Sequence, residues 1–206
     1  MIKKAEQLIE TYIQDIDDNN WKDFYMKVQI DVGPYEKEVI GQVTNMLLQS
    51  GIDPLAEGTT FKIVPTNYLY GQYQCTQFEF PLWLDGVGSE AFAFTSIEKL
   101  ILPEHFLHTW SAAFQHMSKL KNVVWKSKQH IIPERCFASC LGLKEIYLPN
   151  HIKLIKDKAF YNCVSLSDIY YDGTMLKWYD IHKWGDWLTG PSNKVIVKCT
   201  DGEIKI

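Results

Sequence analysis

The sequence predicts an α+β solenoid: about five repeats of ~23 residues between a helical N-terminal cap and a tryptophan-rich C-terminal cap. Three observations lead there. Phenylalanines recur at a near-constant interval through the second half of the chain. Short apolar segments alternating inward and outward, several closed by proline, recur at the same interval. The residues on either side of this periodic region follow different patterns. The expected organisation is an acidic helical unit at 1–60, repeats at 61–172 and a capping tail at 173–206.

Met1–Thr60 holds 11 acidic and 5 basic residues. Ala5, Leu8, Ile9, Tyr12, Ile13 and Ile16 share one helical face, which ends in the polar run "DIDDNN". Trp21, Phe24, Tyr25 and Val28 suggest a second short helix. Gly33-Pro34 opens a third, with Val39, Ile40, Val43, Met46 and Leu47 as its stripe. Such a unit reads as a cap for the solenoid or as a separate docking module. Asp15, Asp17 and Asp18 lack the glycine and terminal glutamate of a calcium loop and read as a solvated helix end.

The repeat is visible in four columns. Leu69, Phe92, Phe114, Phe137 and Phe160 are separated by 22 or 23 residues, as are Phe78, Leu100, Val123, Ile146 and Ile169. Val64, Val87, Thr109, Ile132 and Ile155 form a third column, and Ala91, Ala113, Cys136 and Ala159 a fourth of small residues. The "FEFP", "LILP" and "IYLP" segments read as brief strands halted by a residue with no backbone N–H. The A-F-x-x-C-x-x-L segment spaces its apolar residues like one turn of α- or 3₁₀-helix. One such unit cannot bury its own apolar side, so successive units must stack and the columns become ladders down a shared core.

In the tail, Trp178, Ile181, Trp184 and Trp187 read as cap core, with an aromatic ligand platform as the alternative, and "KVIVKC" reads as a closing strand. Together, "CFASCLGLKEIYLPNHIKLIKDKAF", "AFYNCVSLSDIYYDGT" and the ending "YYDGTMLKWYDI" resemble the BspA-like (Treponema-type) leucine-rich repeats, from about Phe61 to Ile206. Local departures are Met117 in place of Cys and "VVWK" in place of I-x-L-P. The resemblance implies a leucine-rich-repeat solenoid that binds proteins and is not an enzyme. Relatives of this kind include secreted or surface-attached bacterial adhesins, and others from protists and phages.

Composition narrows the function classes. At 46% hydrophobic and 22% charged, the chain has the balance of a globular protein, and a net charge of −4 offers no electrostatic footprint for nucleic acid. No apolar run reaches bilayer length, and the first residues lack the apolar core of a signal peptide. With five cysteines, an odd number, this predicts a cytoplasmic protein with reduced thiols and no membrane partner. The phosphate-loop, dinucleotide, zinc-protease and serine-hydrolase signatures are absent from the sequence. His105 and His108 are spaced as a metal pair but lack a third ligand nearby. Cys140 and Cys163 share a column and read as core, a disulfide or metal pair being the alternative. No catalytic residue, metal or cofactor is expected.

Function is therefore sought on the displayed surface. The outward position of the strand segment is occupied by Glu79, Ile101, Val124, Tyr147 and Tyr170, flanked by Lys99, Asn122, Glu145 and Asp168. Solvent-facing positions are usually polar. An apolar and aromatic line there predicts an interaction surface for a protein partner or a second copy, unless the N-terminal unit or the tail covers it. Lys99, Ile101, Val124, Glu145, Tyr147 and Tyr170 are the candidate contacts, with Lys99 and Glu145 setting polar register. The expected protein is an intracellular adaptor or inhibitor of bacterial or phage origin. The alternative is an effector or enzyme with its activity in Met1–Thr60 and the repeats as targeting arm.

Overall fold

The computed structural model describes residues 63, 64, 66–80, 82, 84–191 and 194–206. The helical unit expected at 1–60 lies outside them. The described chain is a stack of coils in which each repeat from Gly86 onward contributes a short and a long strand. The long strands are β3 (Lys99–Leu102), β5 (Asn122–Trp125), β7 (Glu145–Pro149) and β9 (Asp168–Asp172), paired in parallel in that order. The short ones are β1 (Ile63–Val64), β2 (Gly86–Val87), β4 (His108–Thr109), β6 (Ile131–Ile132) and β8 (Leu154–Ile155). The repeats of the expected solenoid form a β-solenoid: one helix, α1 (Met175–Tyr179), occurs among the described residues, and the helical cap on which the α+β class drew lies outside them.

Register explains the core. Leu100, Val123, Ile146 and Ile169 pair directly across adjacent strands, and all are buried. Phe92, Phe114, Phe137 and Phe160 are fully buried, with neighbouring ring centroids 5.7, 5.6 and 5.6 Å apart and nearly parallel for the last three. That spacing is close to the ~4.8 Å between paired strands, so equivalent residues must lie on one another.

The A-F-x-x-C segment is not helical. It is a pair of turns flanked by left-handed residues placed two before and two after each phenylalanine. Glu90, Ala112, Arg135 and Lys158 form the first set, with φ from 53 to 58°, and Phe94, His116, Ser139 and Asn162 the second, with φ from 58 to 64°. A left-handed residue breaks a helix, yet leaves the i, i+3 apolar spacing that resembles one. Non-glycine residues resist this geometry, and a third ladder of backbone bonds holds them in it. Phe92 N–H donates to Ala113 O at 3.0 Å, Phe114 to Cys136 O at 3.0 Å and Phe137 to Ala159 O at 2.9 Å. The thiols of Cys140 and Cys163 donate to Phe114 O and Phe137 O of the preceding coils, both at 3.1 Å. All five cysteines are free, and burial pushes the Cys163 thiol up to about 12.

One seam interrupts the short-strand ladder: β4 pairs with β2 and β6 with β8, but β4 does not pair with β6. At the equivalent junctions, the residue after the short strand donates back: Trp110 N–H to Val87 O, Lys156 N–H to Ile132 O and Trp184 N–H to Ile155 O. Here that residue is Pro133, which has no N–H to give. The Gln129 side-chain amide takes its place. Its Oε1 accepts from Thr109 N–H at 2.7 Å and its Nε2 donates to Thr109 O at 3.1 Å, as a strand's peptide group would.

The tail continues the stack. β10 (His182–Lys183) adds to β8, and Trp187 O accepts from Phe160 N–H while its ring packs edge-on against Phe160 at 6.2 Å. β11 (Ile196–Cys199) extends the long sheet in parallel beside β9, and β12 (Gly202–Lys205) turns back antiparallel to β11. Thr174 caps α1 by accepting from Lys177 N–H, and the Lys183 ammonium donates to Trp178 O and Ile181 O at its far end. Trp178 and Ile181 are buried and Trp187 half-buried, as cap core requires, but Trp184 is 55% exposed and does not join it. Trp184 stands between β10 and the left-handed Gly185; its N–H joins the ladder while its ring remains exposed.

Replacing Phe137 with Ala removes a ring packed between two others and is expected to cost about 3–5 kcal/mol in denaturant unfolding. Gln129→Leu leaves the buried Thr109 N–H and C=O without partners and is expected to cost about 1–3 kcal/mol. Cys140 and Cys163 are expected to react with a thiol reagent only as fast as the protein unfolds, as read by mass spectrometry of the native chain.

Candidate functional site

Strand alternation sends Lys99 and Ile101, Asn122 and Val124, Glu145 and Tyr147, and Asp168 and Tyr170 to the outer face of the long sheet. Parallel register then aligns them in two rows. Ile101 pairs with Val124, Val124 with Tyr147 and Tyr147 with Tyr170, while Lys99, Asn122, Glu145 and Asp168 form the polar row beside them. The candidate contacts are thus brought together. Ile101 (44%) and Tyr147 (39%) are exposed, whereas Val124 and Tyr170 are half-buried, so the line is less uniformly open than its sequence suggests. Glu79 is exposed but lies outside any strand.

The aromatic part of the row is ordered. The Tyr147 and Tyr170 rings stack 4.4 Å apart at an interplanar angle of 4°. With ring faces turned to each other, the pair presents edges and hydroxyls outward. The Tyr147 hydroxyl lies 3.4 Å from Glu145 Oε2, which also accepts from Asn122 Nδ2 at 3.1 Å. Burial first, and then the Glu145 charge, raises the Tyr147 phenol above its ordinary range.

The sequence reading missed the next member of the row. β11 places Lys198 directly beside Tyr170, and Glu203 of β12 follows. The Lys198 ammonium sits 4.8 Å from the Tyr170 ring centroid, 2.7 Å from Asp168 Oδ1 and 3.3 Å from the Tyr170 hydroxyl. The hydrogen bond from Lys198, and then that from the Ser167 hydroxyl, lowers the Asp168 carboxyl; the bond to Asp168 raises Lys198 in turn. The signal was available: "IVKC" is the same alternating segment, with Lys at its outward position. The tail therefore extends the stripe rather than covering it.

An open groove of about 500 Å³ runs along the C-terminal ends of the strands from β5 to β11, lined among others by Val124, Trp125, Tyr147, Tyr170, Lys198 and Thr200. Its walls are mainly apolar with lysine and hydroxyl groups at the edge. Among the described residues, no group of three His, Cys, Asp or Glu side chains is placed to hold a metal ion. His105 packs edge-on against Phe106 at 5.4 Å, while His108 stands exposed on β4. No helix among the described residues is long and apolar enough to cross a membrane.

Comparison with known proteins places the repeats. The family model for the BspA-type leucine-rich repeat region matches residues 62–180 in six copies. A solved leucine-rich repeat protein from Bacteroides ovatus superposes with a TM-score of 0.52 at 23% identity, covering 59% of this chain and 33% of its own. A leucine-rich cell surface protein from Faecalibacterium prausnitzii gives a TM-score of 0.47 at 23% identity, covering 51% of this chain and 34% of its own. This chain thus spans about a third of the length of these solved structures. A search of curated proteins returned no match.

The Lys198–Asp168 pair has a defined pH signature. A carboxyl lowered in the folded state contributes stability above its unfolded pKa, and loses it as pH falls through the folded one. A raised ammonium contributes below its unfolded pKa and loses it as pH rises through the folded one. An NMR titration is expected to place the Asp168 midpoint below the ordinary aspartate range, and Lys198→Ala to return it towards that range.

Proposed function

Because the chain belongs to the BspA-type leucine-rich repeat family, we propose that it is a non-enzymatic module that binds a protein partner through the outer face of its long sheet. The carrying observation is the Ile101–Val124–Tyr147–Tyr170 row. It puts apolar and aromatic groups in adjacent strands at positions where a solvated sheet face carries polar ones. Tyrosine suits such a surface because its body is apolar and its hydroxyl tolerates water.

The arrangement supports a protein partner: the stacked tyrosines present edges and hydroxyls outward beside a groove with mainly apolar walls. The groove beside them accepts an apolar side chain, with Lys99 at one end of the polar row and Glu145 within it to set register. The chain's free thiols, buried at Cys136, Cys140 and Cys163, support work in a reducing compartment, consistent with an intracellular adaptor or inhibitor encoded by a bacterium or a phage.

Replacing Tyr147 and Tyr170 together with Ala is expected to weaken partner binding by at least ~2 kcal/mol, measured by calorimetry with a partner captured from the native cell. Loss of their stacking is expected to lower folding stability by only about 0.5–1.5 kcal/mol. A far larger fall in stability with binding intact would assign the pair to the solenoid's own packing and overturn the proposal.

A further inference from the structure

The long sheet ends at β12, and β12 has one bonded and one open edge. Val195 and Ile206 exchange both backbone bonds, at 3.0 and 2.9 Å, which fixes the alternation of the hairpin. By that alternation Ile204 bonds to Val197 and Gly202 to Cys199. The N–H and C=O of Glu203 and Lys205 therefore point away from β11, and no strand lies beyond them in the sheet among the described residues.

We infer that this edge pairs with the same edge of a second copy of the chain, antiparallel about a two-fold axis through Ile204. The register follows from the free groups. Only a pairing that sets Glu203 opposite the partner copy's Lys205, and Lys205 opposite its Glu203, joins all four outward N–H and C=O pairs at once. That register is self-complementary in charge: both side chains are exposed on the outer face, and each meets its opposite. On the inner face Ile204 meets its own copy. Ile206, 40% exposed, falls opposite Gly202, which has no side chain and against which Met175 packs. Charged edges usually prevent strand pairing by repelling any partner. This one, read in reverse, attracts itself.

The proposal concerns the open backbone edge of β12 rather than the face of the tyrosine row, although Glu203 closes that row, and it uses N–H and C=O groups that the row does not. The test is a charge swap followed by sedimentation velocity over a concentration series of the whole chain. Wild-type protein is expected to form dimers reversibly. Lys205→Glu leaves two glutamates on the edge and Glu203→Lys leaves two lysines, so each is expected to self-associate at least about tenfold more weakly. An equimolar mixture of the two variants is expected to recover dimers, since every cross-strand pair is then of opposite sign. The double variant Glu203→Lys/Lys205→Glu is expected to dimerise alone, which shows that the edge folds with either arrangement. Lys205→Pro removes the outward N–H together with the Lys205 charge and is expected to weaken dimers while the bonds of Ile204 and Ile206 to β11 are kept. Wild-type chains that stay monomeric at every concentration, single variants that dimerise as well as wild type, or a mixture that stays monomeric would each overturn the inference.

Discussion

Every coil of this molecule must lie one strand spacing from the next, because backbone N–H and C=O groups on several sides of the coil bond to the neighbouring coil. Three ladders meet this demand: the long strands, the short strands and the turn segments between them. A phenylalanine cannot move without moving the carbonyl bonded across to the next coil. Stacked rings, aligned tyrosines and cysteine thiols that reach the preceding coil are all consequences of that common spacing. The same constraint makes the outer face useful. A side chain placed outward in one repeat is automatically beside its counterpart in the next, so a surface pattern needs only one residue per repeat to become a continuous line.

The seam at Pro133 shows how strictly the ladders are kept. Proline removes one donor, and the chain does not leave Thr109 unpaired. A glutamine four residues earlier supplies both an acceptor and a donor with the spacing of a peptide group. Continuity across the seam is kept by the long strands, where β3 and β5 pair over all four residues of each. The interruption therefore sits on the short-strand side, away from the tyrosine row.

The periodic apolar columns were legible in the sequence because burial acts on side-chain type: Phe114 and Ile146 announce an inward position wherever they recur. The turns were not legible. Ala112, Arg135 and Lys158 have no intrinsic taste for left-handed backbone, and it is imposed by bonds to coils far away in sequence. The i, i+3 spacing around Phe137 and Cys140 suits a helical turn as well as a tight pair of turns, so periodicity alone could not separate them. The outward row was read up to Tyr170; Lys198 was missed because the tail breaks the 23-residue interval, although "IVKC" alternates as the other strands do. Trp184 misled for a related reason. An aromatic residue signals burial on average, but its place just after β10 leaves its ring exposed. Gln129 carries no sequence mark at all, since its role depends on a missing N–H in a residue four positions on.

The reversal of the last strand has a consequence for growth. A stack of parallel coils that ended on another parallel strand would offer the same edge that its first coil is built to accept, and identical molecules could join head to tail without limit. Turning β12 back against β11 gives the terminal edge the opposite polarity to every coil before it. A further coil cannot be added there in the parallel register that joins β3, β5, β7, β9 and β11, and a like edge can meet it only once. At this edge the hairpin replaces open-ended parallel addition with a contact that closes on itself.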